Sequence, residues 1–282
     1  MKQQLFSVLR MLKPPHSVYQ HLHFRGTVKV QTPGGAPFRV RHEGYQDENE
    51  LFWVGLENCW EKESFRLWMA LCRLKSAPII FDAGANNGIY SLVAQAVNPS
   101  ARIYAFEPVP QIFKRLEANI RANHFSVTTE PYAISDQSGE VTLFVPPTEH
   151  SYSASLDPRF PSLSSDAVPV KVRAVSFADY RQEKNISALD ILKIDIEGFE
   201  PQALIGLRED LNHFKPAILL EVLTEEAGKT IESIVMGLDY LYYNIDEKRG
   251  PIYSDHIGKS FKYNYFICQP ETARLLGLDF PL

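Results

Sequence analysis

The sequence predicts an α/β protein: an open, largely parallel sheet with helices on both faces. Three observations carry this expectation. The apolar run Ile79, Ile80, Phe81 ends in Asp82, and a small-residue loop leads from it into a helical pattern running from Gly88 to about Val97. A second apolar run ends in Phe106, Glu107 and Pro108, nineteen residues after Gly88, which completes a β-loop-α-β unit. Two further runs, Leu189-Asp190-Ile191-Leu192-Lys193-Ile194-Asp195 and Ala217-Ile218-Leu219-Leu220-Glu221-Val222, read as buried strands. In open sheets of this kind, ligands bind outside the carboxyl ends of the strands.

The remaining elements follow in order. Residues 2–13 (Lys2, Leu5, Phe6, Val8, Leu9, Arg10) read as a short, basic, amphipathic helix. Residues 24–41 alternate apolar and polar side chains around Pro33-Gly34-Gly35, a hairpin signal. Trp60, Phe65, Trp68 and Leu71 give a helix to about Leu74, with Glu61 and Glu63 near its start and Pro78 beyond its end. Residues 1–77 are therefore expected to form a helix and hairpin cap on a main domain of residues 78–282.

Within that domain, Ile112, Phe113, Leu116 and Ile120 mark one face of a helix over 110–122. A third strand near 126–130 leads to Ala133, Ile134, Ser135 and Asp136. Residues 139–145 and 168–174 look like extra strands flanking a Ser/Pro-rich loop, 146–167, whose length and composition suit an acceptor-side lid. A helix over 199–210 follows Asp195, and strands near 239–245 and 262–268 close the sheet.

Composition narrows the class. With 45% hydrophobic and 22% charged residues over 282 positions the chain is ordinary globular material. A net charge of −5 gives no general nucleic-acid surface. Cys59, Cys72 and Cys268 lack C-x-x-C spacing and read as buried free thiols in a reducing, cytoplasmic compartment. No run approaches the length of a spanning helix, and no small-residue cleavage site follows the first helix, so no signal peptide is expected. That helix suits docking on the chain's own domain or on a second subunit, with peripheral membrane contact through residues 2–13 as the alternative.

The loop after Asp82 is not a phosphate binder. A dinucleotide fingerprint, G-x-G-x-x-G, would need glycine where Asn86 and Ile89 stand, and Asp82 would repel a pyrophosphate. This argues against a nicotinamide-dependent oxidoreductase. It suits a ligand with positive charge and no phosphate, such as the ammonium and sulfonium of S-adenosylmethionine, with Glu107 accepting hydrogen bonds from ribose hydroxyls.

Four blocks, at residues 82–88 (D-A-G-A-N-N-G), 106–108 (F-E-P), 133–139 (A-I-S-D-Q-S-G) and 192–198 (L-K-I-D-I-E-G), resemble in content and order those of the FkbM family of S-adenosylmethionine-dependent methyltransferases. The resemblance implies a class I, Rossmann-like, seven-stranded methyltransferase sheet and methyl transfer, usually to a hydroxyl oxygen. It implies that Asp82, Gly84, Ala85, Asn86 and Gly88 hold the methionine end of the cofactor. Glu107 and Pro108 would lie at the ribose, and Ala133, Ile134 and Asp136 would flank the adenine.

Asp195 and Glu197 stand at the end of the fourth strand, beside the expected methyl group. Two carboxylates two residues apart on a strand share a face, and burying both would raise one pKa. They are the candidate general base or hydroxyl-orienting pair, with capping of the next helix as the structural alternative. His150 and Glu221 are candidate acceptor contacts. Lys193 is given no role. Some sugar O-methyltransferases use magnesium with Asp ligands, so a metal site stays open, but no third ligand can be named beside these acids and no metal residue is assigned. The partners expected are a small-molecule or glycan acceptor and no nucleic acid, with a homodimer left open. The reading is an O-methyltransferase acting on a sugar or polyketide-like hydroxyl. The alternatives are an N-methyltransferase on the same fold, disfavoured because no N-P-P-[YF] signature is present, or a non-catalytic cofactor-binding scaffold.

Overall fold

A computed structural model describes residues 2–146, 166–260 and 262–281. The chain opens with α1 (Lys2–Arg10), α2 (His16–Tyr19), the hairpin strands β1 (Gly26–Val30) and β2 (Phe38–His42), α3 (Gln46–Trp53) and α4 (Lys62–Arg73). It continues as β3 (Ile79–Ala83), α5 (Ile89–Val97), β4 (Arg102–Phe106), α6 (Pro110–Asn123) and β5 (Val127–Glu130). Next come β6 (Ala133–Ile134), β7 (Gly139–Val145), β8 (Val168–Val175), α7 (Phe177–Glu183) and β9 (Ile191–Ile194). The last part holds α8 (Glu200–Ile205), α9 (Arg208–Phe214), β10 (Ala217–Glu221), α10 (Glu225–Val235), β11 (Leu241–Asp246), β12 (Gly250–Ser254), β13 (Asn264–Cys268) and α11 (Pro270–Leu276).

The main sheet runs β12-β11-β13-β10-β9-β3-β4-β5. Strands β5, β4, β3, β9 and β10 are mutually parallel, and β13 is inserted antiparallel between β10 and β11. Omitting β12, this is the seven-stranded order of the class I, Rossmann-like methyltransferase fold. The eighth strand corrects the expectation of seven. β12 pairs antiparallel with β11 as an edge hairpin turning at residues 247–249, and its sequence, Gly-Pro-Ile-Tyr-Ser, lacks the apolar alternation that marks a strand. β8 pairs with β7 on one side and β6 on the other, making a separate three-stranded sheet. The helix expected over 199–210 is two helices, α8 and α9, broken at Gly206 and Leu207.

Every residue of β3 and β9 is buried, because both faces of the sheet are covered. One face packs against α5 and α4, and the core there runs without a break through Phe24, Trp53, Phe65 and Trp68. The other face packs Phe81, Phe106 and Leu192 against Phe177 and Tyr180 of α7 and Leu204 of α8. The chain runs outward from β3 to β4 and β5, then returns to β9 on the other side of β3. The two loops leaving β3 and β9 therefore diverge, and a crevice opens at this switch point.

Candidate active site

Two glycines shape the crevice. Gly84 sits at φ +74°, and a Cβ there would collide with the carbonyl oxygen of Asp195. Gly88 sits at φ +91° and a Cβ would press on Leu116 of α6. Only glycine tolerates both the left-handed backbone and the close approach. The loop between them packs down onto β9 and α6 and leaves a cavity of about 390 Å³ above the carboxyl ends of β3, β4 and β9.

Asp82 closes the floor. It is fully buried, its Oδ2 accepts from Ser91 Oγ at 2.6 Å, and its Oδ1 has no partner among the described residues. Burial pushes its pKa up, against the opposing charge of Lys193 and the Ser91 hydrogen bond. Glu107 closes one end. Its Oε2 accepts from the Asn86 amide at 3.0 Å and its Oε1 from the Val109 amide at 2.9 Å, so the carboxylate is fixed in orientation. Burial pushes its pKa up to about 7, although both amide hydrogen bonds pull the other way. A carboxylate has about four lone-pair sites, so each oxygen retains capacity to accept a further donor. Asn86, at φ +50°, lines the same cavity and buries an Oδ1 without a partner among the described residues.

Lys193 and Asp195 mark the opposite end. Lys193 Nζ lies 2.9 Å from Asp195 Oδ2, and its side chain is 6% exposed against 37% for that of Asp195. Burial alone would lower the lysine pKa, but Asp195, Asp82 and Glu61 together hold it up at about 12. The ammonium also lies 4.4 Å from the centre of the Tyr90 ring. Lys193 is thus a permanently charged, buried counter-ion beneath an aspartate open to the cavity. β9 ends at Ile194, and Glu197 has φ +55°. The shared face expected for Asp195 and Glu197 therefore comes from a turn rather than from strand alternation, and both line the cavity. Glu200 does the local structural work, its Oε1 accepting from the amides of Ile196 and Gly198 at 3.0 and 3.2 Å.

The positions singled out in the sequence divide as follows. Asp82, Gly84, Ala85, Asn86, Glu107, Pro108, Ala133, Ile134, Asp195 and Glu197 all lie in the cavity wall. Gly88 supports the wall from behind. Asp136 and Glu221 stand off it: Asp136 accepts from Ser135 Oγ, and Glu221 ends β10 with its pKa raised by burial and by Asp195 and Glu197 nearby. His150 and nearly all of the loop 146–167 fall outside the described residues.

The first 77 residues also supply wall residues that the motifs did not indicate. Gln46 and Asp47 come from the first turn of α3, and Trp60, Glu61 and Phe65 from the start of α4. Asp47 Oδ2 accepts from Asn87 Nδ2 at 2.6 Å, which ties α3 to the loop after β3. Glu61 occupies the N-cap position of α4 but makes no side-chain cap. It turns into the site instead, accepting from the Tyr90 hydroxyl at 2.7 Å and from Asn264 Nδ2 at 2.9 Å. Glu247, from the β11–β12 turn, takes over the cap, accepting from the Glu63 and Ser64 amides at 2.7 and 3.3 Å. The visible signal for Glu61 was its place beside Trp60 at a helix start, which reads equally well as an ordinary cap.

A model of the methyltransferase FkbM domain matches residues 82–245, more than half of the chain and all four sequence blocks. The chain belongs to the FkbM methyltransferase family. It is 27% identical over 160 residues to the 31-O-demethyl-FK506 methyltransferase FkbM of Streptomyces tacrolimicus, covering 48% of this chain and 62% of that relative. It is 28% identical over 153 residues to the 2-O-methyltransferase NoeI of Sinorhizobium fredii, covering 49% and 60%. The chain thus spans about six tenths of the length of these relatives. A crystal structure of methyltransferase FkbM from Methylobacillus flagellatus superposes with a TM-score of 0.46 at 14% identity, covering 75% of this chain and 47% of that one.

Proposed function

We propose that the chain is an S-adenosylmethionine-dependent O-methyltransferase acting on a hydroxyl of a glycan or other polyhydroxylated small molecule. One observation carries the reading. A single cavity joins a fixed, amide-anchored carboxylate, Glu107, to a solvent-facing carboxylate held by a buried lysine, Asp195. A ribose needs the first and a reacting hydroxyl needs the second.

The residues present fit the cofactor. The unpartnered buried oxygens of Asp82 and Asn86 call for donors rather than for phosphate, and the Gly84 backbone is bare enough for close approach. Asp82, Gly84, Ala85 and Asn86 would hold the amino acid end, Glu107 the ribose, and Ala133 and Ile134 an adenine edge. S-adenosylmethionine supplies an electrophilic methyl group on a sulfonium when bound. At the acceptor end, Asp195 would accept the hydroxyl proton as the new carbon–oxygen bond forms and the methyl–sulfur bond breaks, giving a methyl ether, S-adenosylhomocysteine and a protonated carboxyl that returns its proton to water. An alcohol is too weak an acid to ionise beforehand, so a positioned base contributes roughly 10²–10⁴-fold, and alignment in the cavity supplies much of the rest. Lys193, 2.9 Å from Asp195 Oδ2, fixes the orientation of that carboxylate. Glu61 and Glu197 face the same space and suit hydrogen bonds to neighbouring hydroxyls, and the part-exposed Trp60 ring offers an apolar edge for a sugar. The relatives' printed activities, on a 31-O position and a 2-O position, support an oxygen acceptor. The three buried free thiols support a reducing, cytoplasmic setting.

The test is calorimetry with S-adenosylhomocysteine, followed by mass spectrometry of a panel of hydroxylated acceptors incubated with S-adenosylmethionine. Binding of the nucleoside and a gain of one methyl on oxygen support the reading. Absence of nucleoside binding, or methylation confined to amines, overturns it.

A further inference from the structure

The first 42 residues hold seven Lys and Arg and not one Asp or Glu, in a chain whose net charge is −5. All seven basic side chains, Lys2, Arg10, Lys13, Arg25, Lys29, Arg39 and Arg41, are exposed. Among the described residues, Lys2, Lys13, Arg25, Lys29 and Arg39 have no acidic partner. Lys29 and Arg39 are cross-strand neighbours on the outer face of the β1–β2 hairpin.

Beside this basic face lies an apolar one. α1 docks through Phe6, which contacts Phe24 and Trp53 at ring-centre distances of 6.2 and 5.8 Å. Gln3 Nε2 donates to the Thr27 carbonyl at 2.7 Å and holds the helix against β1. Docking uses only that side. Leu5, Val8, Met11 and Leu12 face outward, 57 to 80% exposed. No helix among the described residues is long and apolar enough to cross a membrane.

We propose that α1 and the outer face of the β1–β2 hairpin form a peripheral docking surface for an anionic lipid bilayer. The chemistry on each element fits that one occupant. Leu5, Val8 and Leu12 form one stripe that can enter the boundary between headgroups and acyl chains, while the basic residues around it meet lipid phosphates. A second copy of the chain fits less well. A helix of nine residues is about 13 Å long and about 10 Å across, far short of the ~800 Å² per partner that a stable dimer buries. The surface also has a direct mechanical link to the site. Trp53, on which Phe6 packs, ends α3, and Gln46 and Asp47 in the first turn of that helix line the cavity.

The experiment is flotation of the full chain with vesicles of phosphatidylcholine alone and of phosphatidylcholine containing one third phosphatidylglycerol. The anionic vesicles should capture the chain on the order of tenfold better, and the difference should collapse between about 0.1 M and about 1 M salt. The triple variant Leu5→Ser, Val8→Ser, Leu12→Ser should lose capture by roughly tenfold, because its stripe no longer inserts. Lys29→Glu with Arg39→Glu should weaken capture several-fold and flatten the salt dependence. Both variants must keep the wild-type affinity for S-adenosylhomocysteine, which certifies the fold without relying on the acceptor. No capture by anionic vesicles, equal capture by neutral ones, or wild-type capture by the triple variant overturns the proposal. So does light scattering that shows a dimer converted to monomer by the triple variant while vesicles capture neither form.

Discussion

The burial of Glu107 and the ribose role proposed for it pull its protonation in opposite directions. Burial drives its pKa to about 7 in the ligand-free site, whereas accepting two ribose hydroxyls requires the ionised form. Affinity for S-adenosylhomocysteine should therefore fall by about tenfold between pH 8 and pH 6, as a base titrating near 7 predicts through linkage. Glu107→Gln should weaken binding by about 2 kcal/mol and flatten that pH dependence, since the amide keeps the shape but loses charge-assisted acceptance. Calorimetry across pH checks both, and a variant that binds as tightly as wild type removes Glu107 from the ribose role. At the other end of the cavity, Asp195→Asn should leave nucleoside affinity within a few-fold of wild type while turnover falls by roughly 10²–10⁴. Lys193→Met should lower turnover while nucleoside affinity is retained, because Asp195 then loses the partner that fixes its orientation. Single-turnover rates set beside nucleoside affinity distinguish that change from a simple loss of folded enzyme. The places of Asp82, Gly84 and Glu107 in the cavity wall were legible in the sequence because they are local, each at or just beyond the end of an apolar strand. Glu61 and Lys193 were not. A strand lysine can face either side of a sheet, and Glu61 finds its partners in Tyr90 and in Asn264, which lies 203 positions further on.

At the scale of elements, α4 depends on a cap that its own sequence does not provide. Glu61 turns away into the cavity, and Glu247 reaches across 184 positions to the Glu63 amide while its other oxygen takes the Ser64 hydroxyl at 2.5 Å. A carboxylate at a helix N-terminus also meets the positive end of the helix dipole. Glu247→Ala should thus cost about 1–2 kcal/mol, or a drop in melting temperature of roughly 2–8 °C for a chain of this size. It should also weaken the hold on Glu61 through the Ser64 and Asn264 contacts. The expected signature is a raised KM for the acceptor with nucleoside affinity unchanged, and an unaltered KM would separate the hairpin from the site. The same contact explains which elements the sequence revealed. The parallel strands and α5 and α6 were legible because buried faces impose continuous or 3.6-residue apolar patterns. β12 was not, since an edge strand needs only one paired side and bears no such pattern. The split of α8 from α9 was hidden because both halves bury one continuous apolar set, Ala203, Leu204, Leu207 and Leu211.

For the molecule as a whole, the buried carboxyls set how stability depends on pH. Burial pushes Glu48, Glu107 and Glu200 up to about 7, each from a reference of 4.5, and Glu221 is raised as well. Between the two values the folded chain holds protons that the unfolded chain has released. This contribution to stability is fully present below about 4.5 and is lost as pH rises through about 7. His42 acts in the opposite sense: burial lowers its pKa, so it favours folding more as pH rises towards 6.5. Burial raises Glu50, Glu61 and Asp82 too, so one such group stands against seven carboxyls. A tenfold difference in proton affinity between the folded and unfolded chain is worth about 1.4 kcal/mol. Even a single tenfold difference, net of these groups, should make the ligand-free chain melt ~3–6 °C higher near pH 5.5 than near pH 8. Saturation with S-adenosylhomocysteine should narrow that gap, because the nucleoside favours ionised Glu107 and binds best where the free protein is weakest. Glu200→Gln should narrow it too, by removing a titrating group while keeping an acceptor for the Ile196 and Gly198 amides. Scanning calorimetry of wild type and variant at the two pH values, with and without nucleoside, provides these comparisons. A ligand-free melting temperature that climbs from pH 5.5 to pH 8 would mean that these carboxyls are already ionised in the acidic range, with ion pairs such as that of Arg115 with Glu48 outweighing burial.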